Sequence, residues 1–301
     1  MRLTIRKRTL KLIAVIGIAL AVLVFYLTFR ESPEPEQFNL YSEGRGPLSL
    51  DILASIGDES INVQEVSFPS IGVVVHGLLF SPANATKTPG VIILPGAGVD
   101  KFGEIDQATL YAQNGYTVLV LDQRGHGDTG GLVRSVQQDF QVFLDGEPTS
   151  AQLMVYDSLR AFDALGSLPG VDKDDIAFVG LSLGGRIAMI AASAEPGIRG
   201  VVAIASSGFN ADVSNVDVHT KRYLEAIDPD FAVAKISPRR IAFVHEVTDS
   251  VVPQAMARST YDRAREPKAF YSVSGCGHGY CPAMNEHLLR ELALMLNQSF
   301  K

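Results

Sequence analysis

The stretch from Ala177 to Ile190, AFVGLSLGGRIAMI, limits what this chain can fold into more than any other. Apolar and β-branched residues from Ile176 to Val179 run into Gly180-Leu181-Ser182-Leu183-Gly184-Gly185. A small-residue helical pattern follows through Ala188, Met189, Ala191 and Ala192. The pattern predicts strand, sharp turn and helix, with Ser182 at the apex. Such a turn forces the serine into a strained backbone conformation, and glycine at 180 and 184 removes side chains that would strike neighbouring main chain. The hydroxyl is then exposed at the amino end of a helix, where unpaired amides gather. A bare G-x-S-x-G is common by chance. Between a strand and a helix, with an acid and then a histidine downstream, it points to a nucleophile rather than a serine that fills a turn.

The flanking chain alternates strands and helices. Pro89–Leu94 and Tyr116–Leu121 read as buried strands, and Asp175–Val179, Gly200–Ala205, Arg240–His245 and Lys268–Val273 as further strands. Gly103–Asn114, Ala151–Leu168, Pro253–Ala264 and Pro282–Leu296 read as helices, and 123–150 as a polar loop. From Asn62 to Pro82, alternation predicts two antiparallel strands turning near Pro69-Ser70. Leu48–Ile56 permits a short helix. Residues 207–237, with a helix around His219–Ile227, are either a cap over a pocket or a plain surface excursion. The whole reads as an α/β domain over 62–301, with a mainly parallel sheet and helices on both faces.

The amino terminus is different in kind. Leu12 to Phe29 is an unbroken run of apolar and small residues between Lys11 and Arg30. Its eighteen residues, at about 1.5 Å each, make about 27 Å of helix, close to the hydrocarbon thickness of a bilayer. The run ends in bulky residues rather than a small-residue cleavage site, which favours an uncleaved anchor over 12–29; secretion after signal cleavage is the alternative. Basic residues crowd 1–11 and acids follow Arg30, so the expected orientation has a cytoplasmic tail and an extracytoplasmic domain. Residues 30–61 then form a linker and extension. Six of the 26 basic residues and none of the 33 acidic ones fall in 1–30, leaving a net charge of −13 on the rest. A body that acidic, without a basic stripe, argues against a nucleic-acid partner.

In a parallel sheet, reactive groups collect at the carboxyl ends of strands. Four loops there carry candidates: Ser182; Thr248-Asp249-Ser250, whose carboxylate can orient an imidazole; Gly275-Cys276-Gly277-His278-Gly279; and Leu94-Pro95-Gly96-Ala97-Gly98, whose backbone can approach an oxyanion. Asp249 could instead only cap the next helix, with Asp228 and Asp230 as reserve acids. Asp122 and His126 read as braces of a neighbouring loop, and His245 as an ordinary core or surface histidine.

Serine, acid and histidine, each after its own strand, in that chain order, closely resemble the α/β-hydrolase family over about residues 63–299. DQRGHGDT looks like the family's loop after its fourth strand. VDKDDIAFVGLSLGGRIA and FVHEVTDSVVP are similar to segments of its dienelactone-hydrolase-like and prolyl-oligopeptidase-like members. The resemblance departs at Pro95-Gly96, where His-Gly is usual, and at Glu246, where glycine is usual.

It implies a mainly parallel eight-stranded sheet and a serine hydrolase with no cofactor or metal. Ser182 would be the nucleophile, His278 the base and Asp249 its orienting acid, with the amides of Leu183 and Ala97 as the oxyanion hole. A carboxylic ester is the first expected substrate, a peptide the second, and a non-catalytic binding protein the alternative of another class. Serine in place of aspartate argues against dehalogenase or epoxide-hydrolase chemistry.

Cys276 and Cys281 flank His278 and read either as a small disulfide loop or as free thiols. A zinc site there would lack a fourth ligand and consume the base. Asn84-Ala85-Thr86 and Asn297-Gln298-Ser299 are glycosylation acceptor patterns.

Overall fold

Alternate residues along the central strands enter two different apolar cores. Val91 and Ile93 join Val118, Val120, Val179 and Val202 in one, while Ile92 and Leu94 join Leu119, Leu121, Phe178 and Val201 in the other. This division requires a sheet covered on both faces, which is why the middle of each of these strands lacks polar residues. The computed structural model describes residues 40, 41, 45, 48–55, 61–83 and 86–296. Within them lie β1 (Asp51–Ser55), β2 (Ile61–Ser70), β3 (Val73–Pro82), β4 (Thr88–Leu94), α1 (Ile105–Gln113), β5 (Thr117–Leu121), α2 (Val136–Leu144) and α3 (Ser150–Gly166). They are followed by β6 (Val171–Leu181), α4 (Leu183–Ala194), β7 (Ile198–Ile204), α5 (Val218–Ile227), β8 (Arg240–Glu246), α6 (Gln254–Arg263), β9 (Lys268–Val273) and α7 (Asn285–Met295).

The strand order is β1-β2-β3-β5-β4-β6-β7-β8-β9. Strands β5, β4 and β6 to β9 are parallel, and β1 to β3 form an antiparallel edge. Helices α3 and α4 cover one face through Met154, Leu159, Ile187 and Met189. Helices α1 and α7 cover the other through Tyr111, Leu288, Leu292 and Met295. A core ring as well packed as Phe178 is worth about 3–5 kcal/mol against alanine. The chain leaves β4 toward β5 on one side, and β6 lies on the other. The crevice between the carboxyl ends of β4 and β6 is therefore a topological switch point, where open α/β sheets place their ligands. Leu94 pairs with Gly180 there, two residues before Ser182.

Two expectations are corrected. Among the described residues the sheet has nine strands, not eight, because Asp51–Ser55 is strand β1 where 48–56 permitted a helix. All five of its residues are exposed, and its pairing with β2 shifts between Ile52 and Ala54. An exposed strand with a bulge has no buried face to leave a period of two in the sequence. The polar loop over 123–150 contains α2, started by a capping box between Ser135 and Gln138. Its Phe140 and Phe143 meet Tyr223 of α5 edge-on, with ring centroids 5.2 and 5.5 Å apart. The helices of the 123–150 and 207–237 excursions thus stabilise each other.

Among the described residues no helix is long and apolar enough to cross a membrane. The expected anchor over 12–29, its tail over 1–11, and Asn84 and Asn297 lie outside the described residues.

Candidate active site

Ser182 stands between β6 and α4 with φ 50° and ψ −112°, a conformation that costs a non-glycine residue about 1–3 kcal/mol and persists only where the surroundings over-determine it. They do so here. Ser182 N–H donates to the Ile204 carbonyl at 2.9 Å, and the Ser182 carbonyl accepts from Ser206 Oγ at 2.7 Å and from the Gly185 amide at 3.1 Å. A Cβ on Gly180 would strike the Gly184 carbonyl, and one on Gly184 the Leu94 carbonyl. The turn therefore closes against the end of β4 only with glycine at both places. Sequence reasoning missed Ser206. Its position two residues past β7, the strand next to β6, was the available signal.

His278 lies in the loop after β9, between Gly277 (φ 68°) and Gly279 (φ 125°). Cys276 and Cys281 are joined as a disulfide around it, with Cα atoms 5.3 Å apart, so neither sulfur is a free thiolate. His278 Nε2 is 2.9 Å from Ser182 Oγ, and its Nδ1 is 2.8 Å from Asp249 Oδ2. The ring keeps 24% of its surface open, while Asp249 is buried.

Asp249 serves its own turn and the imidazole with different oxygens. Oδ1 accepts from the Val251 and Val252 amides at 2.8 and 2.9 Å, and Oδ2 faces His278. Burial pushes this carboxyl up, but the bonds from His278 and the two amides outweigh it and hold the acid below its ordinary value. An anion at Oδ2 selects the tautomer with a proton on Nδ1, which leaves Nε2 as the acceptor for the Ser182 hydroxyl. Helix α6 has no side-chain cap, so capping is not what occupies Asp249.

His245, expected to be ordinary, sits under this turn. It is fully buried, donates from Nε2 to the Val252 carbonyl at 2.7 Å, and lies 3.6 Å from Asp249 Oδ2. Burial holds its pKa below the usual value, so it braces the acid turn as a neutral ring. The reserve acids turn elsewhere: Asp228 accepts from the Phe209 amide at 3.0 Å and Asp230 from the Asn210 amide at 2.9 Å.

The two expected oxyanion donors flank the serine. Leu183 supplies the first amide of α4, which has no carbonyl a turn earlier to accept it. A Cβ on Gly96 would lie 3.6 Å from Ser182 Cβ, so the 96–98 loop containing exposed Ala97 runs beside the hydroxyl. That loop is fixed by Val99 N–H to the Gly96 carbonyl at 3.2 Å and by Gln123 Nε2 donating to the Pro95 carbonyl.

Asp122 accepts from Lys101 N–H at 2.6 Å and Nζ at 2.9 Å, tying DQRGHGDT to the same segment. Burial opposes a charge on Lys101, but hydrogen bonds to Asp128 and Asp122 outweigh it and raise its pKa. His126 stays within its own loop, with Nδ1 3.1 Å from the Arg124 carbonyl. A cavity of about 650 Å³ lined by Arg45, Phe162, Lys173 and Arg199 lies at the amino ends of β6 and β7, the end of the sheet opposite Ser182.

The family model for acetyl xylan esterase matches residues 53–228, more than half of the chain. The chain belongs to the acetyl xylan esterase family. The match takes in Ala97, Ser182 and Leu183, and ends before Asp249 and His278. Over 139 residues the chain is 30% identical to acetyl esterase Axe7A of Xylanibacter ruminicola, covering 43% of this chain and 32% of that protein. Over 150 residues it is 33% identical to a thiohydrolase of Eupenicillium brefeldianum, covering 49% of this chain and 44% of that protein. It therefore spans less than half the length of these two relatives. Acetyl xylan esterase 1 from a Thermoanaerobacterium species superposes with a TM-score of 0.71 at 17% identity, over 87% of this chain and 92% of that one. Family and superposition agree on the α/β-hydrolase fold of serine hydrolases.

Proposed function

We propose that the chain hydrolyses carboxylic esters of small acyl groups, acetyl first, through an acyl-enzyme on Ser182. The observation that carries this reading is the unbroken relay from Asp249 Oδ2 through His278 Nδ1 and Nε2 to Ser182 Oγ, at 2.8 and 2.9 Å. A hydroxyl is a weak nucleophile near neutrality. As Oγ attacks the ester carbon, its proton passes to Nε2, and the carbonyl electron pair moves onto oxygen. The amides of Leu183 and Ala97 hold that oxyanion; loss of one such donor costs about 3–4 kcal/mol of transition-state stabilisation. Collapse expels the alkoxide, which takes the proton from Nε2. Water then repeats the sequence to release the acid and restore Ser182. Family membership and the names of Axe7A and of the superposed esterase support an acetyl ester.

Ser182→Ala in the full chain tests the reading. Turnover of p-nitrophenyl acetate should fall by about 10⁴-fold or more, and labelling by a serine-reactive phosphonate should vanish. Labelling that persists in the variant removes Ser182 from the mechanism. A panel of acetyl, butyryl and octanoyl esters, an acetyl thioester and a peptide anilide ranks the bond and acyl length; preference for the anilide would replace esterase with peptidase. A wild-type chain that neither labels nor turns over any of the panel is instead a binding protein. For location, we propose that 12–29 anchors the chain with 1–11 in the cytoplasm and the domain outside. Protease added to intact cells should then cleave the domain, and resistance until lysis would reverse the orientation.

A further inference from the structure

We infer that Glu246 is a positioning residue for this reaction: its buried carboxylate ties the turn carrying Asp249 to the loop carrying His278, and so sets the approach of the imidazole to Ser182. The inference rests on the proposed serine mechanism. Glu246 ends β8 and is 1% exposed. Its Oε1 accepts from the Thr248 amide at 3.2 Å and from Thr248 Oγ1 at 3.1 Å, and its Oε2 accepts from the Cys276 amide at 2.7 Å. Thr248 is the residue before Asp249, and Cys276 is two before His278 and half of the disulfide.

The position of this bridge matters. The β8–β9 register reaches Glu246 opposite Val273, and Val247 N–H still donates to the Val273 carbonyl at 2.9 Å. Beyond that pair the strands give way to the acid turn and the imidazole loop, which must nevertheless meet at 2.8 Å between Asp249 and His278. The Glu246 carboxylate spans the two segments at the point where the ladder ends.

Only an anion suits the task. Both of its oxygens face N–H donors, one from each segment, so an amide in its place would turn an NH₂ toward one of them and lose that bond. The Cys276 amide above all, against the effect of burial, holds this carboxyl below its ordinary value. Glycine, usual here in the resembling family, would make neither bond. The disulfide closes the far side of the loop, and Glu246 fastens the near side.

The test compares Glu246→Gln and Glu246→Asp with the wild-type full chain. Glu246→Gln should lower kcat for p-nitrophenyl acetate by between about ten- and a hundred-fold, the scale expected of a displaced catalytic group, with KM held. The downfield proton resonance of His278 Nδ1–H should shift or broaden with it. Glu246→Asp keeps the charge but is one methylene too short to reach both segments, and should fall between the two.

A Glu246→Gln chain that melts early yet keeps wild-type kcat and an unmoved resonance has lost only stability, and overturns the inference. Should Glu246→Gln fail to fold, Glu246→Asp decides by the same two readouts. Ser182→Ala separates the two ideas. If it is inactive while Glu246→Gln is fully active, only the role of Glu246 falls; if it retains turnover, the mechanism falls and takes this role with it.

Discussion

Ser182 stands on a turn constrained mostly by main-chain bonds and steric contacts with adjacent strands, with the Ser206 hydroxyl as its one side-chain tie, and it sits between a strand and a helix that are both largely buried. His278 stands on a glycine-rich loop at the surface, held by side-chain links: a disulfide to Cys281, the Glu246 carboxylate on Cys276, and Asp249 on its own ring. The serine cannot move without moving the sheet. The imidazole is as well placed as its fastenings make it. Damage to the first region should therefore appear as lost folding, and damage to the second as lost turnover in a folded protein.

Asp249→Asn attacks the second region hardest. With the wrong tautomer favoured, kcat should fall about 10⁴-fold, and the rate of phosphonate labelling with it, while circular dichroism and the melting temperature stay near wild type. A melting transition that collapsed instead would erase the contrast. Gly184→Ala attacks the first region, because the added methyl meets the Leu94 carbonyl, which belongs to a buried strand and cannot yield. A loss of about 3 kcal/mol, or about 6–12 °C in Tm, is expected, and scanning calorimetry reads it. Cys276→Ser with Cys281→Ser opens the imidazole loop. A loop with a sequence separation of 5 is worth at most about 2 kcal/mol by chain entropy, so stability should drop modestly and kcat by less than in Glu246→Gln. If kcat falls further than in Glu246→Gln, the disulfide is the stronger fastening.

The smallest effect concerns pH, and its sign differs on the two sides. Asp249 and Glu246 have folded pKa values below the ordinary 3.8 and 4.5. Their contributions to stability are present above those ordinary values and are lost as pH falls through the lower folded ones. Glu104, a buried residue of the turn that follows the 96–98 loop, is pushed by burial up to about 7. The unfolded chain sheds this proton near 4.5 while the folded one keeps it, so stability falls as pH rises from about 4.5 to about 7. Melting curves of Glu104→Gln should lack that slope, and an unchanged slope would remove Glu104 from the account.

The central parallel strands were legible because a strand buried on both faces is nearly all apolar, as β4 and β5 are, and the reading of Lys268–Val273 agrees with β9 residue for residue although that strand lies at the edge. Strand β1 was not, since an exposed edge leaves no periodic trace. Helix α2 was hidden because its aromatic face meets Tyr223, about eighty residues on, and its Ser135–Gln138 cap was the one local signal. Asp249 and His278 could be named from chain order after strands. That Asp228 and Asp230 face other amides required coordinates.

The strand–turn–helix that carries Ser182 was determined by the sequence alone, because glycine sterics and the change from strand to helix periodicity are written within a few consecutive residues. Only the tertiary structure decided that Ser206 holds the Ser182 carbonyl, that His245 lies beneath Asp249, and that Glu246, a departure from the family pattern, joins two segments thirty residues apart. The first and last of those contacts depend on which strands lie side by side and in what register, and the second on how the turn after β8 folds back under its own strand. Periodicity within a strand says which of its faces is buried; it does not say which neighbour that strand will have.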